Sequence, residues 1–469
     1  MARSTLELSL VTDRTDPGPL TSQIAGQLRD ALADGRLATG ERLPSTRTLA
    51  DLLGVSRTVV TGAYAQLYAE GWVEGRHGSG TYVADGASGP RGNGGTELGS
   101  RWAPGVAADR ALAPDVAGLI DLRPGIAWTE GIDHAAWRRA WRRAGASMTG
   151  GLPDPQGSPA LRAALTGYLR RSRGVQCSPG QLVVTRGVAG SLGLIAAALL
   201  RPGDPVGVEE PGYPAARAVF AAHGLCLVPC PVDSGGLRVD ALPEGLRLVY
   251  VTPAHQYPLG GRLSVPRRRA LTSWARATGA LIVEDDYDGE FRYDVAPLPA
   301  LFGLDPEVVV YLGTTTKILT PAMRVGWLAA SPGLSGRLAA AGGTLGEYAS
   351  GPAQDALLSL IATGGLERHI RRMRHDYARR RAAMTAVFGG GAAGRLLGDE
   401  AGMHMVLETS QPAARVAAAA ADRGVAVATL DRYFGGPVTR NGLVLGYGGA
   451  RLPDVARGCR ILADVLVAR

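Results

Sequence analysis

The chain of 469 residues contains one lysine, Lys317, directly after a segment with the pattern of a buried strand. Lys and Arg together number 50, so the other 49 basic residues are arginines. An amine can lose its proton and attack a carbonyl carbon, whereas a guanidinium group cannot usefully do either. The apolar, β-branched run at residues 308–312 predicts the strand, and Thr314 and Thr316 precede the lysine. Lys317 is therefore a candidate for imine chemistry, with a surface lysine that survived by chance as the alternative.

A second apolar run, residues 280–283, lies about thirty residues upstream and ends in carboxylates and a tyrosine. Asp285 and Tyr287 belong to this polar end, and Arg324 follows the lysine by seven residues. Hydroxyl groups and an arginine beside a lysine suit a phosphorylated carbonyl compound. A lysine that forms an imine, with an aspartate that keeps a pyridinium nitrogen protonated, is the protein's contribution to pyridoxal phosphate chemistry.

These motifs occur in the order found in fold-type-I aminotransferases, which the chain resembles from about residue 119 to its end. The resemblance implies a doubly wound α/β domain with a small C-terminal α+β subdomain, whose ligands gather at the carboxyl ends of the strands. It also implies that pyridoxal phosphate is the cofactor. The residues expected to contact it are Lys317, Asp285, Tyr287, Tyr213, Gly187, Val188, Ala189, Thr314, Thr316, Arg324 and Tyr257.

Within this resemblance each residue has an expected role. Lys317 carries the imine, Asp285 holds the ring nitrogen, and Tyr287 contacts the phenol oxygen. Tyr213 stacks on the ring. The loop at residues 185–190 opens an apolar helix after a strand, so its backbone amides can hold the phosphate.

The chain departs from a working aminotransferase at several positions. Tyr257 replaces the asparagine that precedes Pro-x-Gly in that family, and Ala189 replaces a glutamine of the phosphate-binding loop. Residues 151–157 lack the tyrosine that reaches the partner's phosphate site. Val444 stands where the family has the arginine that binds the substrate carboxylate, and valine cannot form that bidentate pair. Arg217 and Arg432 remain possible substitutes for it.

The first 83 residues have a different pattern, that of a helix-turn-helix followed by a two-stranded wing. Apolar residues recur every four positions from 20 to 32, which predicts one helix. Ser45 and Ser56 are candidate caps of a second and a third helix, and Gly54 ends the second. Two short β patterns around residues 75–80 predict the wing.

This segment resembles the GntR class of winged-helix DNA-binding domains. Arg57 and Thr58 fall in the first turn of the third helix, which in such domains faces base edges in the major groove. Arg42 is expected to contact a phosphate. The full set of expected DNA contacts is Arg42, Ser45, Arg47, Ser56, Arg57, Thr58, His77 and Gly78.

Charge alone does not single out the DNA-binding unit. Residues 1–83 hold eight arginines and nine acidic residues, so this segment is close to neutral and the positive excess of the chain, +8 in total, comes from the other residues. The arginine clusters there, as at residues 368–381, are expected to be solvated helix faces.

The whole chain resembles the MocR/GabR subfamily of GntR regulators. The expected layout is a winged-helix domain at 1–83, a flexible linker rich in Gly, Ala and Pro at 84–118, and an aminotransferase-like domain at 119–469. The resemblance implies a homodimer on double-stranded operator DNA, in some members head-to-tail. The four cysteines show no metal spacing, and the absence of a long apolar run or signal peptide predicts a cytoplasmic protein without a membrane span.

Three functions fit this layout. The first is a regulator whose effector is pyridoxal phosphate itself, as in the PdxR branch, which controls vitamin B6 biosynthesis genes. The second is a regulator that senses an amino acid or amine as an external aldimine. The third is an active aminotransferase with an attached winged helix. The missing carboxylate-binding arginine favours the first, without physiological turnover.

Overall fold

The computed structural model describes residues 10–76, 79–87, 118–146, 152–391 and 393–467. The chain divides into two compact units between Pro104 and Gly105. Most of the predicted linker, residues 88–117, lies outside the described residues, as do His77 and Gly78 of the predicted wing.

The first unit is a three-helix bundle with a β-hairpin. Its elements are α1 (Leu20–Ala33), α2 (Thr46–Leu53), α3 (Arg57–Ala69), β1 (Val73–Arg76) and β2 (Gly80–Val83). The strands pair antiparallel, with Val73 opposite Val83. The predicted inward residues form its core, with Ile24, Leu28 and Leu32 of α1 fully buried against Val60 and neighbouring residues of α3. The predicted winged helix-turn-helix is confirmed.

The two predicted serine caps behave differently. The Ser45 side chain accepts a hydrogen bond from the Thr48 amide at 3.1 Å, and Gly54 ends α2 in the left-handed conformation with φ 63°. Ser56 precedes α3, but its side chain makes no capping hydrogen bond. The Ser56 carbonyl instead accepts the Val59 amide at 3.0 Å, so the backbone closes this turn. The Ser56 hydroxyl is left exposed on the helix start.

The second unit contains a large α/β layer and a smaller C-terminal layer. Its helices are α4 (His134–Ala146), α5 (Pro159–Arg173), α6 (Val188–Leu199), α7 (Pro214–Ala222), α8 (Val265–Thr278), α9 (Thr315–Ile318), α10 (Pro332–Leu345), α11 (Gly351–Ala362), α12 (Gly365–Phe388), α13 (Ala413–Asp422) and α14 (Leu452–Val467). Its strands are β3 (Ile120–Asp121), β4 (Leu182–Thr185), β5 (Pro205–Glu210), β6 (Cys226–Asp233), β7 (Gly236–Leu237), β8 (Leu248–Val251), β9 (Leu281–Asp285), β10 (Val309–Thr314), β11 (Gly326–Ala329), β12 (Arg395–Leu397), β13 (His404–Glu408), β14 (Val425–Ala426), β15 (Ala428–Thr429) and β16 (Gly442–Gly446).

Eight of the described strands form the large sheet, in the order β4-β11-β10-β9-β8-β5-β6-β7. The strands β6, β5, β8, β9 and β10 pair parallel, while β11 runs antiparallel to both β10 and β4. The carboxyl ends of β4, β5, β8, β9 and β10 therefore meet at one edge, where an α/β sheet binds its ligands. The predicted sheet is confirmed, and β9 and β10 overlap the apolar runs at residues 280–283 and 308–312.

The C-terminal layer is a four-stranded antiparallel sheet in the order β12-β13-β16-β15. The helices α12, α13 and α14 pack in this part of the unit. The short strand β3 pairs parallel with β14, so the start of the unit is joined to its C-terminal part. This confirms the predicted small α+β subdomain. None of the described helices has both the length and the apolar character needed to cross a membrane.

Candidate functional site

Lys317 lies in the short helix α9, directly after the carboxyl end of β10. The Thr314 side chain caps this helix by accepting a hydrogen bond from the Thr316 amide at 3.1 Å. Lys317 Nζ donates a hydrogen bond to the Gly125 carbonyl at 2.6 Å. Burial lowers the pKa of Lys317, and the charges of Asp288 and Asp285 oppose this effect. The amine is thus held in a desolvated position at the sheet edge, as imine formation requires.

Asp285 ends β9 beside this amine and is almost completely buried. Its Oδ2 accepts a hydrogen bond from the Tyr250 hydroxyl at 2.5 Å, while Oδ1 has no hydrogen-bond partner within the described ranges. Burial raises the pKa of Asp285 to about 7. A buried acceptor oxygen without a partner fits a protonated ring nitrogen, which is the expected cofactor contact.

The acidic residues on either side of Asp285 point elsewhere. Successive side chains of a strand face opposite sides of the sheet. Glu284 accepts the amides of Leu301 and Phe302 at 2.7 and 2.9 Å. Asp286 pairs with Arg173 at 2.5 Å, and both side chains are buried. Because side chains alternate along the strand, Asp285 is the one of these three adjacent carboxylates that lies on the same side as Lys317.

The expected phosphate-binding loop opens the twelve-residue helix α6. Gly187 precedes the helix at φ 89°, and a Cβ atom there would lie 3.9 Å from Thr314 Oγ1. The Thr314 hydroxyl donates to the Thr316 hydroxyl at 2.9 Å. The first amides of a helix, here those of Val188 and Ala189, have no intrahelical acceptor, so they can bind an anion. The loop and the hydroxyls thus lie on the same side as Lys317.

Arg324 differs from the rest of the expected cofactor set. It is exposed, and it adopts a left-handed backbone conformation with φ 51°. A long, solvated arginine can still reach a phosphate oxygen. The structure therefore leaves the expected phosphate contact of Arg324 as a prediction.

Four tyrosines and a histidine line the site with their rings. Tyr257 makes edge-to-face contacts with Tyr213 at 5.5 Å, with Tyr287 at 5.6 Å and with Tyr433 at 5.4 Å. Its ring also lies 4.9 Å from that of His404. These contacts bring the expected stacking residue Tyr213 and the expected phenol contact Tyr287 together through Tyr257.

The position expected to hold a carboxylate-binding arginine is apolar. Val444 is fully buried in β16 within an apolar cluster that includes Tyr433. Arg217 Nη1 donates to the carbonyls of Tyr433 and Gly212 at 2.7 and 3.3 Å and lies 3.7 Å from a Glu210 carboxylate oxygen. Arg432 is exposed. A carboxylate contact from either of these two arginines therefore stays a possibility raised by the sequence, as the phosphate contact of Arg324 does.

Several residues of the site were missed by sequence reasoning. Tyr250 and Gly125 contact Asp285 and Lys317, and His255 and Asp288 bond to each other beside Tyr287. His255 follows β8 as Tyr287 follows β9, so its place beyond the carboxyl end of a strand could have indicated it. Tyr250 and Gly125 carry no such indication.

The first unit presents the expected DNA contacts to solvent. Those within the described ranges are all exposed: Arg42, Ser45, Arg47, Ser56, Arg57 and Thr58. Arg57 starts α3 and donates to Thr46 Oγ1 at 3.3 Å, which directs its guanidinium group towards the start of α2. A Cβ atom on Gly80 would lie 3.0 Å from Arg42 Nε, so Arg42 lies over the wing.

Two protein families match separate parts of the chain. Residues 20–83 match the family described as bacterial regulatory proteins of the gntR family. Residues 128–435 match aminotransferase class I and II. These ranges correspond to the helix-turn-helix unit and to the unit that holds Lys317.

Similar proteins match either nearly the whole chain or most of it. The chain is 36% identical over 442 residues to the HTH-type pyridoxine biosynthesis transcriptional regulator PdxR of Corynebacterium glutamicum, covering 94% of this chain and 95% of that one. It is 34% identical over 482 residues to the probable rhizopine catabolism regulatory protein MocR of Rhizobium meliloti, covering 98% and 96%. Among solved structures, the multiple substrate aminotransferase of Thermococcus profundus matches with a TM-score of 0.71 and 25% identity over 79% of this chain and 98% of that one.

The fold, the site and these similarities agree. The large unit has the architecture of pyridoxal phosphate-dependent aminotransferases, and its residues fit that cofactor at the ring nitrogen and the amine. The chain therefore belongs to the MocR-type transcriptional regulators, in which a GntR winged helix-turn-helix domain is joined to a pyridoxal phosphate-binding domain of aminotransferase class I and II.

Proposed function

We propose that this regulator senses pyridoxal phosphate itself and controls genes of vitamin B6 biosynthesis. The observation that carries the proposal is the combination of Lys317 and Asp285 in a buried site with Val444 in place of a carboxylate-binding arginine. Such a site can hold the cofactor but gives an amino acid no partner for its carboxylate. The name of the Corynebacterium relative, a pyridoxine biosynthesis regulator, supports the same target genes.

In this proposal the protein's residues bind and orient the cofactor but do not use it to catalyse transamination. Pyridoxal phosphate supplies an aldehyde that condenses with a primary amine and releases water. Lys317 is that amine, and its lowered pKa increases the neutral, nucleophilic fraction near neutral pH. Asp285 would hold the ring nitrogen through Oδ1, and the amides at the start of α6 would hold the phosphate. The protein has no physiological transaminase activity.

The regulator acts on double-stranded DNA, and in a bacterium its place of action is the cytoplasm, which holds the chromosome. Covalent attachment at Lys317 shifts the balance between arrangements of the two units that bind DNA differently. A ligand can shift such a balance only through its different affinities for the two arrangements. The linker at 84–118, about 35 residues, is long enough for such rearrangement if it behaves as a flexible coil.

Lys317→Ala should abolish covalent cofactor that can be trapped by borohydride, because the chain has no second lysine. Mass spectrometry of the reduced protein measures the result. Lys317→Arg is the matched control, since it keeps a positive charge but forms no imine. Trapping of one equivalent per chain at an internal position of either variant would contradict the assignment.

Arg57→Ala should reduce the preference for operator over unrelated DNA, whereas Arg42→Ala should weaken binding to both. An arginine contact to a base edge contributes about 1–3 kcal/mol of discrimination against the wrong base. Loss of a phosphate contact weakens binding to all sequences and reduces by about one the slope of the log binding constant against log salt concentration. Fluorescence anisotropy at several salt concentrations separates the two effects. Unchanged operator preference in Arg57→Ala would show that α3 does not read bases.

The protein should be a dimer through its larger unit, head-to-tail or otherwise, because related pockets are completed at subunit interfaces. Leu152 lies in the segment 151–157, which in the resembling family reaches the partner, and is 95% exposed. Sedimentation should give twice the chain mass of 48.6 kDa at micromolar concentration, and Leu152→Asp should shift the protein towards monomer. Val265→Asp, a control at another exposed apolar position, should not. A wild-type monomer would refute the proposal.

Pyridoxal phosphate alone should change operator affinity, and amino acids should leave the visible absorption of the loaded protein unchanged. The reason is that Val444 offers a carboxylate no charged partner. Absorption titrations with the twenty amino acids, followed by operator binding, measure both effects. One amino acid that shifts the absorption and the operator affinity together would favour the alternative effector, and steady-state turnover would favour an enzyme.

A further inference from the structure

Residues 430–436, here called the cover segment, lie beside the Lys317 site at the C-terminal sheet. The segment follows β15 with a short helical turn, Leu430–Tyr433, and continues as a loop. The Tyr433 side chain is buried, and its ring lies 5.4 Å from that of Tyr257. Tyr257 in turn contacts the two further tyrosines that are expected to touch the cofactor. None of the cofactor contacts expected from the sequence lies in the cover segment itself.

The Tyr433 ring packs where the resembling aminotransferases bind a substrate carboxylate. Val444 stands opposite both Val406 and Ala428 on the neighbouring strands of the C-terminal sheet, so these three side chains share one face. Tyr433 and Leu259 belong to the same apolar cluster as this face. Val444 is the position at which those enzymes have the carboxylate-binding arginine. The Tyr433 side chain therefore fills space on the side of the pocket from which a substrate carboxylate would be held.

Glu210, at the end of β5, holds the outer part of the cover segment. Its Oε1 accepts hydrogen bonds from the amides of Gly435 and Gly436 at 2.7 and 2.9 Å. The Glu210 side chain is only 15% exposed, although both glycines are exposed. Hydrogen bonds to an ionised group are stronger than neutral ones, and shielding from water strengthens them further. The carboxylate therefore ties the exposed end of the segment to the large sheet.

Arg217 of α7 and the backbone that precedes this helix hold the inner part of the cover segment. Arg217 Nη1 donates to the Tyr433 carbonyl at 2.7 Å, and the Gly212 amide donates to the same carbonyl at 2.9 Å. A Cβ atom on Gly435 would lie 3.3 Å from Arg217 Cδ, so the missing side chain lets the segment lie directly on the arginine. Arg217 Nη1 also lies 3.7 Å from Glu210 Oε2, which places both anchors side by side.

The anchors belong to the segment that also carries the expected ring-stacking residue. Glu210 ends β5, Tyr213 directly precedes α7, and Arg217 lies within that helix. The same eight residues therefore reach the cofactor side through Tyr213 and hold the cover segment through the two charged side chains. In many enzymes a substrate must bind before such a cover closes. Here the closing contacts are made within the protein, without a substrate.

We propose that Tyr433 is a specificity-determining residue that shields the cofactor attached to Lys317 from free amines, and that Glu210 and Arg217 are the positioning residues that hold it in place. The excluded molecules are amino acids and other primary amines, which compete with Lys317 for the aldehyde carbon. The inference rests on the proposed function and deepens it, because a sensor of pyridoxal phosphate must keep that molecule in the presence of many cellular amino acids.

Hydroxylamine tests the shield in the loaded protein, because it is a small nucleophile without a carboxylate. Its nitrogen replaces Lys317 Nζ on the cofactor carbon, and its protons pass to the released lysine amine. Tyr433→Ala should lose its visible absorption at least about tenfold faster than wild type, because an open site no longer excludes side reactions. Tyr433→Phe, which keeps the ring, should react more slowly than Tyr433→Ala. Val438→Ala, at an exposed position of the following loop, is the matched control and should keep the wild-type rate. Equal rates in wild type and Tyr433→Ala would overturn the proposal.

Hydrogen exchange tests the anchors in the unloaded, full-length protein. Glu210→Ala should speed exchange of the Gly435 and Gly436 amides by about tenfold or more, because each loses a hydrogen bond to a charged group. Once loaded, this variant and Arg217→Met should both react faster with hydroxylamine than wild type. Glu244→Ala, which removes an exposed glutamate of the same unit, should change neither measurement. Unchanged exchange in Glu210→Ala would contradict the anchoring role.

The outcomes separate this inference from the proposed function. If Tyr433→Ala and Glu210→Ala react with hydroxylamine as wild type does, while pyridoxal phosphate changes operator affinity, the shield is rejected and the proposed function stands. If both variants react faster but pyridoxal phosphate leaves operator affinity unchanged, the proposed function alone is rejected. Circular dichroism and melting temperature verify that each variant folds. The exchange and hydroxylamine measurements on Glu210→Ala decide the matter if Tyr433→Ala does not fold.

Discussion

The buried ion pair between Arg173 and Asp286 fixes the sheet edge on which the site depends. Arg173 ends α5, and Asp286 follows β9 and also accepts a hydrogen bond from Tyr311 of β10 at 2.8 Å. One carboxylate therefore joins a helix to the two strands that deliver Asp285 and Lys317. Removing one partner of such a pair costs about 3–5 kcal/mol, because the remaining charge is buried without compensation. The relative position of Lys317 Nζ and Asp285 Oδ1 thus depends on an ion pair that lies outside the pocket.

The same edge explains how cofactor binding and turnover can be separated in this fold. The expected contacts for the cofactor come from the large sheet, through β4, β5, β8, β9 and β10 and the segments that follow them. The contact for a substrate carboxylate would come from β16 of the C-terminal sheet, where Val444 is buried in an apolar cluster. Losing the second contact leaves the first intact, so a binding domain can persist without catalysis.

Much of the fold and part of the site could be predicted from the sequence. Apolar runs ending in polar residues identified β9 and β10 and placed Asp285 and Lys317 correctly, because side chains at strand ends face one edge of a parallel sheet. Contacts between distant segments could not be predicted. The bond of His255 to Asp288 spans 33 positions, and that of Lys317 to Gly125 spans 192. The missing Ser56 cap likewise depends on the local backbone, which residue type alone does not determine.

The central claim is that pyridoxal phosphate and DNA are coupled ligands of one protein. Calorimetry can measure the affinity for pyridoxal phosphate with and without a duplex selected by this protein from random sequences. Linkage requires DNA to change the cofactor affinity by the same factor by which the cofactor changes DNA affinity, about 5- to 150-fold for typical couplings. The account predicts equal factors in the wild type and no coupling in Lys317→Arg. An identical cofactor affinity with and without DNA would contradict it.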